Sequence, residues 1–251
     1  IDNNTGYVVA IVGGRDQDFN SYTLNRAFQS HRQPGSSIKP LIVYTPAFER
    51  GYDPNTIVDD HKFEGGPSNA TNTYVGKVPL RYAVAKSLNT VAWQVYEQIT
   101  PKVGLQYLKN MNFSSIVKDD YTLATSLGGF TKGVSPLEMA SAYAALENDG
   151  MFRQPNCVKS IVDADENVVY SSQMTEVSIY EQDAARTMTD VLTTVMGSGT
   201  GKALKLSNMP CAGKTGTTND HKDGWFVGYT RYYTTSVWVG CDYPKAISNL
   251  S

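Results

Sequence analysis

Cysteine and histidine are scarce in this chain, with three of each among 251 residues. Cys157, Cys211 and Cys241 are too few and too scattered for a disulfide framework or a zinc site, and an odd number leaves at least one thiol unpaired. All three are expected to be small buried hydrophobes, a common role for a free cysteine. His31, His61 and His221 form no ligand-spaced cluster, so no metal is expected. No apolar run approaches the roughly 20 residues that cross a bilayer, and no secretory leader is visible. Neither sign of charge dominates: 22 basic residues face 24 acidic ones, a formal net charge of −2. That balance gives no general attraction to nucleic acid or anionic lipid.

What is present is enough for a substantial core. Hydrophobic residues make up 41% of the chain, which fits one large domain or two closely joined lobes. Sixteen tyrosines against eight phenylalanines suit clefts and half-wet surfaces better than a dry interior. The chain opens on Ile1 and passes almost directly into the strand-like run Tyr7-Val8-Val9-Ala10-Ile11-Val12. A natural start more often carries Met and a leader, so a piece of a longer protein is expected.

The strand-like runs sit at the two ends: Tyr7 to Val12, Met209 to Ala212, Trp225 to Tyr229 and Thr234 to Cys241. The middle reads as helical. Ser36 to Arg50 closes at Gly51. Leu80 to Ile99 is interrupted at Ser87-Leu88-Asn89, where Ser and Asn compete for backbone hydrogen bonds. Ser135-Pro136-Leu137-Glu138 combines a capping box with Pro at the first helical position, and Glu181 to Met196 stops at Gly197. Asp59 to Lys77, rich in Gly, Pro, Asn and Thr, reads as a long surface loop. The expected fold is therefore α+β in two lobes: an antiparallel sheet formed from both chain ends, about 1–33 and 200–251, with an inserted helical lobe, about 34–199. A cleft between the lobes is the natural site.

Three short motifs occur in order: Ser36-Ser37-Ile38-Lys39, Ser87-Leu88-Asn89 and Lys214-Thr215-Gly216. The first sets a hydroxyl and an amine three residues apart at a helix start, hence on one face. Serine is a poor nucleophile without an adjacent base. Lysine becomes that base only if its pKa falls, which burial, a helix N-terminus and a second cation all favour. Lys214 is the candidate cation. Ser87 is placed to relay a proton between Lys39 and a leaving nitrogen, and the Asn89 amide either binds a substrate amide or orients Lys39. Lys214, Thr215 and Thr217 would meet a substrate carboxylate from a strand edge, with Gly216 allowing close backbone approach. The backbone N–H groups of Ser36 and Thr217 would form an oxyanion hole.

Chance supplies roughly one S-x-x-K in a chain this long, and K-T-G far less often. A second S-x-x-K, Ser115-Ile116-Val117-Lys118, is present. It is set aside because Asp119 and Asp120 would hold its lysine protonated. Met196-Gly197-Ser198-Gly199-Thr200-Gly201-Lys202-Ala203 fails as a phosphate-binding loop, having Met for the first Gly and Ala for the Ser/Thr. No cofactor is expected. His221 is read as a solvated turn residue, and at most one of Trp225 and Phe226 should face the cleft.

The segments Arg32 to Pro40, Ala85 to Ala92 and Gly213 to Thr218 closely resemble the penicillin-binding proteins, in particular the transpeptidase domain of the bifunctional class A members. Further matching stretches are Gly13-Gly14-Arg15, Asn25-Arg26-Ala27, Gly133 to Ala140, Gly199-Thr200-Gly201 and Asp223 to Gly228. They cover nearly the whole chain in the family's order. The resemblance implies a penicillin-binding and serine β-lactamase-like fold. It also implies a D,D-transpeptidase that attacks the D-Ala-D-Ala end of a peptidoglycan stem peptide through Ser36 and passes the acyl group to an amine acceptor. β-Lactams would acylate the same serine. An N-terminal membrane anchor and a glycosyltransferase domain, both absent from this chain, are implied as well, with work at the outer face of a bacterial plasma membrane. Three other outcomes keep the nucleophile: a D,D-carboxypeptidase, a β-lactamase and a β-lactam-sensing receptor domain. No Glu-x-x-Leu-Asn stretch that would serve a β-lactamase lies between Ser87 and Lys214, and Glu138 is better explained as a capping residue.

Overall fold

A computed structural model describes residues 1–15, 22–248 and 250. In chain order it begins with α1 (Arg26–Gln29), followed by a 3₁₀ turn, Gly35–Ile38, that runs through Lys39 into a π-helical segment, Pro40–Tyr44, and α2 (Thr45–Phe48). The hairpin β1 (Ile57–Asp60) and β2 (Gly76–Pro79) leads to α3 (Leu80–Lys86), α4 (Asn89–Ile99) and α5 (Pro101–Asn110). Next come α6 (Pro136–Glu147), β3 (Met151–Arg153), β4 (Ser160–Val162), β5 (Val168–Ser171), β6 (Glu176–Ser178) and α7 (Gln182–Ser198). The chain closes with β7 (Ala212–Thr217), β8 (Asp223–Tyr229) and β9 (Thr234–Gly240).

The last three strands form an antiparallel sheet in the order β7-β8-β9. α7 packs on β7, and α6 packs on β8 and β9. β8 is buried at all but one position, as a central strand covered on both faces must be. One apolar cluster joins the sheet to the helices, through Ala212, Trp225, Val227 and Tyr229 on one side and Ile38, Leu41, Ile42, Val91, Met188 and Val195 on the other. Each large aliphatic side chain fully buried there contributes about 1.5–3 kcal/mol.

The α+β reading holds, and the two chain ends do meet. They do so through Ile1 to Asn3 rather than through the run 7–12. Ile1 exchanges backbone hydrogen bonds with Thr234, and Asn3 N–H donates to Tyr232 O. The run Tyr7 to Val12 forms no strand. Beyond a single bridge from Tyr7 to Asn156 it has no regular secondary structure, and a slot of about 1030 Å³ lies between it and β9. Val9, Ile11 and Val12 are exposed. Apolar content alone does not make a strand when no partner backbone lies at ladder distance. That slot touches none of the motif residues.

Other boundaries moved by small amounts. β7 begins at Ala212, where the run from Met209 was expected to end, so Lys214-Thr215-Gly216 lies inside the strand. α7 continues past Gly197 to Ser198. The loop expected over 59–77 has paired strands at both ends and a buried residue, Asn69, in its middle. The cysteines are not buried: Cys157 is exposed, and Cys211 and Cys241 are half-buried. Cys157 follows β3 and leads toward the β4–β5 hairpin, whose residues are exposed throughout. No helix among the described residues is long and apolar enough to cross a membrane.

Candidate active site

The helical stretch bearing Ser36 and Lys39 is held from several sides. Pro40 has no N–H to give Ser36 an α-type bond, so Lys39 N–H takes the Ser36 carbonyl, and a wider turn follows in which Thr45 N–H reaches Pro40 O. Tyr143 Oη donates to Ser37 O at 2.5 Å, Tyr180 Oη to Leu41 O at 2.8 Å, and Trp225 Nε1 to Gln33 O at 2.8 Å. Ile38, Leu41 and Ile42 are fully buried beneath it. Ser36 alone in the segment from Pro34 to Pro40 is partly exposed, and its Oγ makes no hydrogen bond among the described residues.

Lys39 is wholly buried. Its Nζ reaches Ser87 O at 2.9 Å, Asn89 Oδ1 at 2.8 Å, Leu88 O at 3.4 Å and Ser87 Oγ at 3.5 Å. Lys214, equally buried, donates to Ser87 Oγ at 2.9 Å and to Thr215 O at 3.0 Å. Neither lysine has a carboxylate partner among the described residues. Burial without a counter-charge disfavours the ammonium form. Lys39 is held well below the ordinary lysine range, first by burial and then by the Lys214 charge. Burial brings Lys214 down to about 7.

The break between α3 and α4 makes this meeting possible. Ser87 caps α3 in the left-handed conformation, φ 59° and ψ 36°, a posture costly for a residue other than Gly, Asn or Asp. It turns the hydroxyl and the carbonyl of Ser87 toward the two lysines. β7 supplies the facing wall. Gly35, at φ +53°, lies so close to β7 that a Cβ there would sit 2.8 Å from Thr217 O. A Cβ on Gly216 would sit 2.3 Å from Pro34 O. Backbone therefore meets backbone on either side of Ser36, at Gly35 against Thr217 and at Pro34 and Ser37 against Gly216. Thr215 is half-buried, and its Oγ1 lies 2.7 Å from Thr200 Oγ1.

The structure thus brings Lys39, Ser87, Asn89 and Lys214 into direct contact and packs the turn that carries Ser36 against Gly216 and Thr217 of β7, beside Lys214 and Thr215. No hydrogen bond joins Ser36 Oγ to Lys39 Nζ; the bond between the two residues is the backbone one, from Lys39 N–H to Ser36 O. The second S-x-x-K lies elsewhere: Lys118 is exposed, and Asp120 is occupied by the N–H groups of Val117 and Thr131. Glu138 closes the capping box of α6 with Ser135. His221 is exposed in a turn. Trp225 is buried and Phe226 half-buried. Asn69 and Asp60, both buried and both bonded to the start of α4, carry no motif signal in the sequence. They sit in a segment whose composition reads only as loop, while Thr200 lies in the stretch Gly199-Thr200-Gly201.

The penicillin binding protein transpeptidase domain family matches residues 1–243 of the chain. Penicillin-binding protein 4 of Bacillus subtilis (strain 168) is 35% identical over 254 residues, covering 100% of this chain and 40% of its own length. Penicillin-binding protein 1A of Clostridium acetobutylicum is 34% identical over 264 residues, with 98% and 32% covered. The chain therefore spans two fifths or less of these curated relatives. Among solved structures, penicillin-binding protein PonA1 from Mycobacterium tuberculosis superposes with a TM-score of 0.83 at 26% identity, over 100% of this chain and 72% of that one. That protein has also been solved in complex with penicillin V. Penicillin-Binding Protein 1A from Haemophilus influenzae shares the fold, with a TM-score of 0.77 at 24% identity over 88% of this chain and 39% of that one.

Proposed function

We propose, from the premise that the chain belongs to the penicillin-binding protein transpeptidase domain family, that it is a serine acyltransferase cross-linking peptidoglycan stem peptides through an acyl-Ser36 intermediate. The observation that carries the reading is the convergence of two buried lysines on the Ser87 hydroxyl, one helical turn from a free, partly exposed serine.

In this reading the Ser36 hydroxyl attacks the carbonyl of the D-Ala-D-Ala bond, and its proton passes to neutral Lys39. The oxyanion forms between the N–H groups of Ser36 and Thr217, where glycines at 35 and 216 let the two backbones close up. Lys214 donates to Ser87 Oγ, which leaves the Ser87 proton free to go to the departing nitrogen while Lys39 replaces it. D-Ala leaves, the acceptor amine attacks the ester, and the same groups run in reverse. Lys214, Thr215 and Thr217 hold the terminal carboxylate. A β-lactam takes the donor's place, but its leaving nitrogen remains tethered. The chain would work on the outer face of a bacterial plasma membrane, as part of a longer protein carrying an anchor and a glycosyltransferase domain.

The test is covalent labelling. A fluorescent penicillin should modify the chain once, with the adduct on Ser36 by peptide mapping. Ser36→Ala should abolish the label while changing stability by about 1 kcal/mol or less. Label on Ser115 would overturn the assignment.

A further inference from the structure

α4 starts without a cap of its own. Its N-cap position is Leu88, which has no side-chain acceptor, yet the first N–H groups of a helix need partners. They find one twenty residues upstream. Asn69 Oδ1 accepts from Asn89 N–H at 2.8 Å and from Thr90 N–H at 3.4 Å. Asn69 is only 4% exposed, and its other end is equally committed. Nδ2 donates to Asp60 Oδ1 at 2.7 Å and to Thr73 O at 3.0 Å. Asp60, fully buried on β1, also accepts from Thr90 Oγ1 and from Val75 N–H at 2.9 Å.

The neighbouring carbonyl completes the arrangement. Asn89 Nδ2 donates to Ser68 O at 2.9 Å, while Asn89 Oδ1 accepts from Lys39 Nζ at 2.8 Å. An amide has one oxygen face and one nitrogen face. A carbonyl fixed at Ser68 therefore obliges Asn89 to turn its oxygen toward Lys39. Ser68 is in turn anchored by the next residue, Asn69.

We propose that Asn69 and Asp60 are positioning residues of the acyl-transfer site, setting the backbone place and amide orientation of Asn89 and through it the seat of Lys39. The inference rests on the function proposed above. A helix cap alone needs only the Asn69 oxygen. The buried carboxylate behind it and the Ser68 carbonyl beside it are what aim the Asn89 amide.

Acylation by a chromogenic β-lactam separates initial binding from the acylation step, with rates corrected for the labelled fraction. Asn69→Ala should slow the acylation step about tenfold or more, as misplacing a reacting group does, and leave initial binding within about twofold. The acid limb of its pH profile, which reads Lys39, should move in the same direction as in Asn89→Ala. The double variant should be no slower than Asn89→Ala alone, within about twofold. If Asn69→Ala does not unfold cooperatively, Asp60→Asn keeps the Asn69 helix cap, removes the carboxylate that holds Asn69 from behind, and should show the same rate loss and the same coupling. An unchanged acylation rate, or losses that multiply in the double variant, would overturn the inference while a labelled parent leaves the function standing. A parent with no adduct on Ser36 overturns both.

Discussion

Lys214 Nζ donates to Ser87 Oγ at 2.9 Å from a strand 127 residues downstream, and this one bond joins the sheet to the break between α3 and α4. The charge it brings is one of the two reasons Lys39 loses its proton easily. In the proposed mechanism Lys214 also has to stay charged to hold a carboxylate, and burial brings its own pKa down to about 7.

Acylation should accordingly rise and then fall with pH. On the acid side it is lost as pH drops through the lowered pKa of Lys39, because only the neutral amine accepts the Ser36 proton. On the basic side it weakens above about 7 as Lys214 discharges. Lys214→Arg should abolish the basic limb, since a guanidinium stays charged, while keeping the acid limb. Lys39→Ala should lose about 10³-fold or more. Stopped-flow acylation from about pH 5 to pH 9 reads both limbs; a basic limb persisting in Lys214→Arg would refute its assignment.

The same residue makes stability depend on pH. Its folded pKa of about 7 lies below the unfolded value of 10.5. Between them the unfolded chain binds a proton that the folded chain lacks, so unfolding free energy rises with pH. One proton gives at most about 1.4 kcal/mol per pH unit. Lys214→Met should lose this share of the slope and keep the share that buried Lys39 contributes with the same sign. Urea melts of both proteins at pH 7 and pH 9 would show it, and parallel slopes would contradict it.

Gly216→Ala should damage site and fold together. The added methyl would meet Pro34 O at 2.3 Å and Ser37 N at 2.9 Å, both backbone atoms. Overpacking of this kind costs about 1–3 kcal/mol. Acylation should fall more steeply than the folded fraction, because the strand must back away from Ser36. Penicillin labelling normalised to folded protein by circular dichroism measures the two separately.

The penicilloyl adduct should persist for many minutes to hours at neutral pH. Hydrolysis requires a base aimed at a water near the ester. Asp60, the buried carboxylate tied to this network, already accepts from Asn69, Thr90 and Val75, and Glu138 is spent on its capping box. Intact-mass spectrometry after removing free penicillin follows the adduct directly. Its disappearance within seconds, with catalytic consumption of the antibiotic, would mean a β-lactamase.

Local chemistry fixed a good deal of this molecule. The capping box at Ser135 and Glu138, the helix break at Ser87 and the motif triplet could all be read from neighbouring residues. Each depends on groups within four positions of one another, where the chain's own geometry decides the outcome. Tertiary structure decided the rest. The run from Tyr7 to Val12 is as apolar as a strand but meets partner backbone only at Asn156, and Ile1 to Asn3 pair with the sheet instead. Asn69 looks like any loop asparagine until folding brings α4 and Asp60 to its two ends. The lowered pKa values of Lys39 and Lys214 belong to no motif: they arise because folding removes water from two amines and, among the described residues, gives neither a carboxylate.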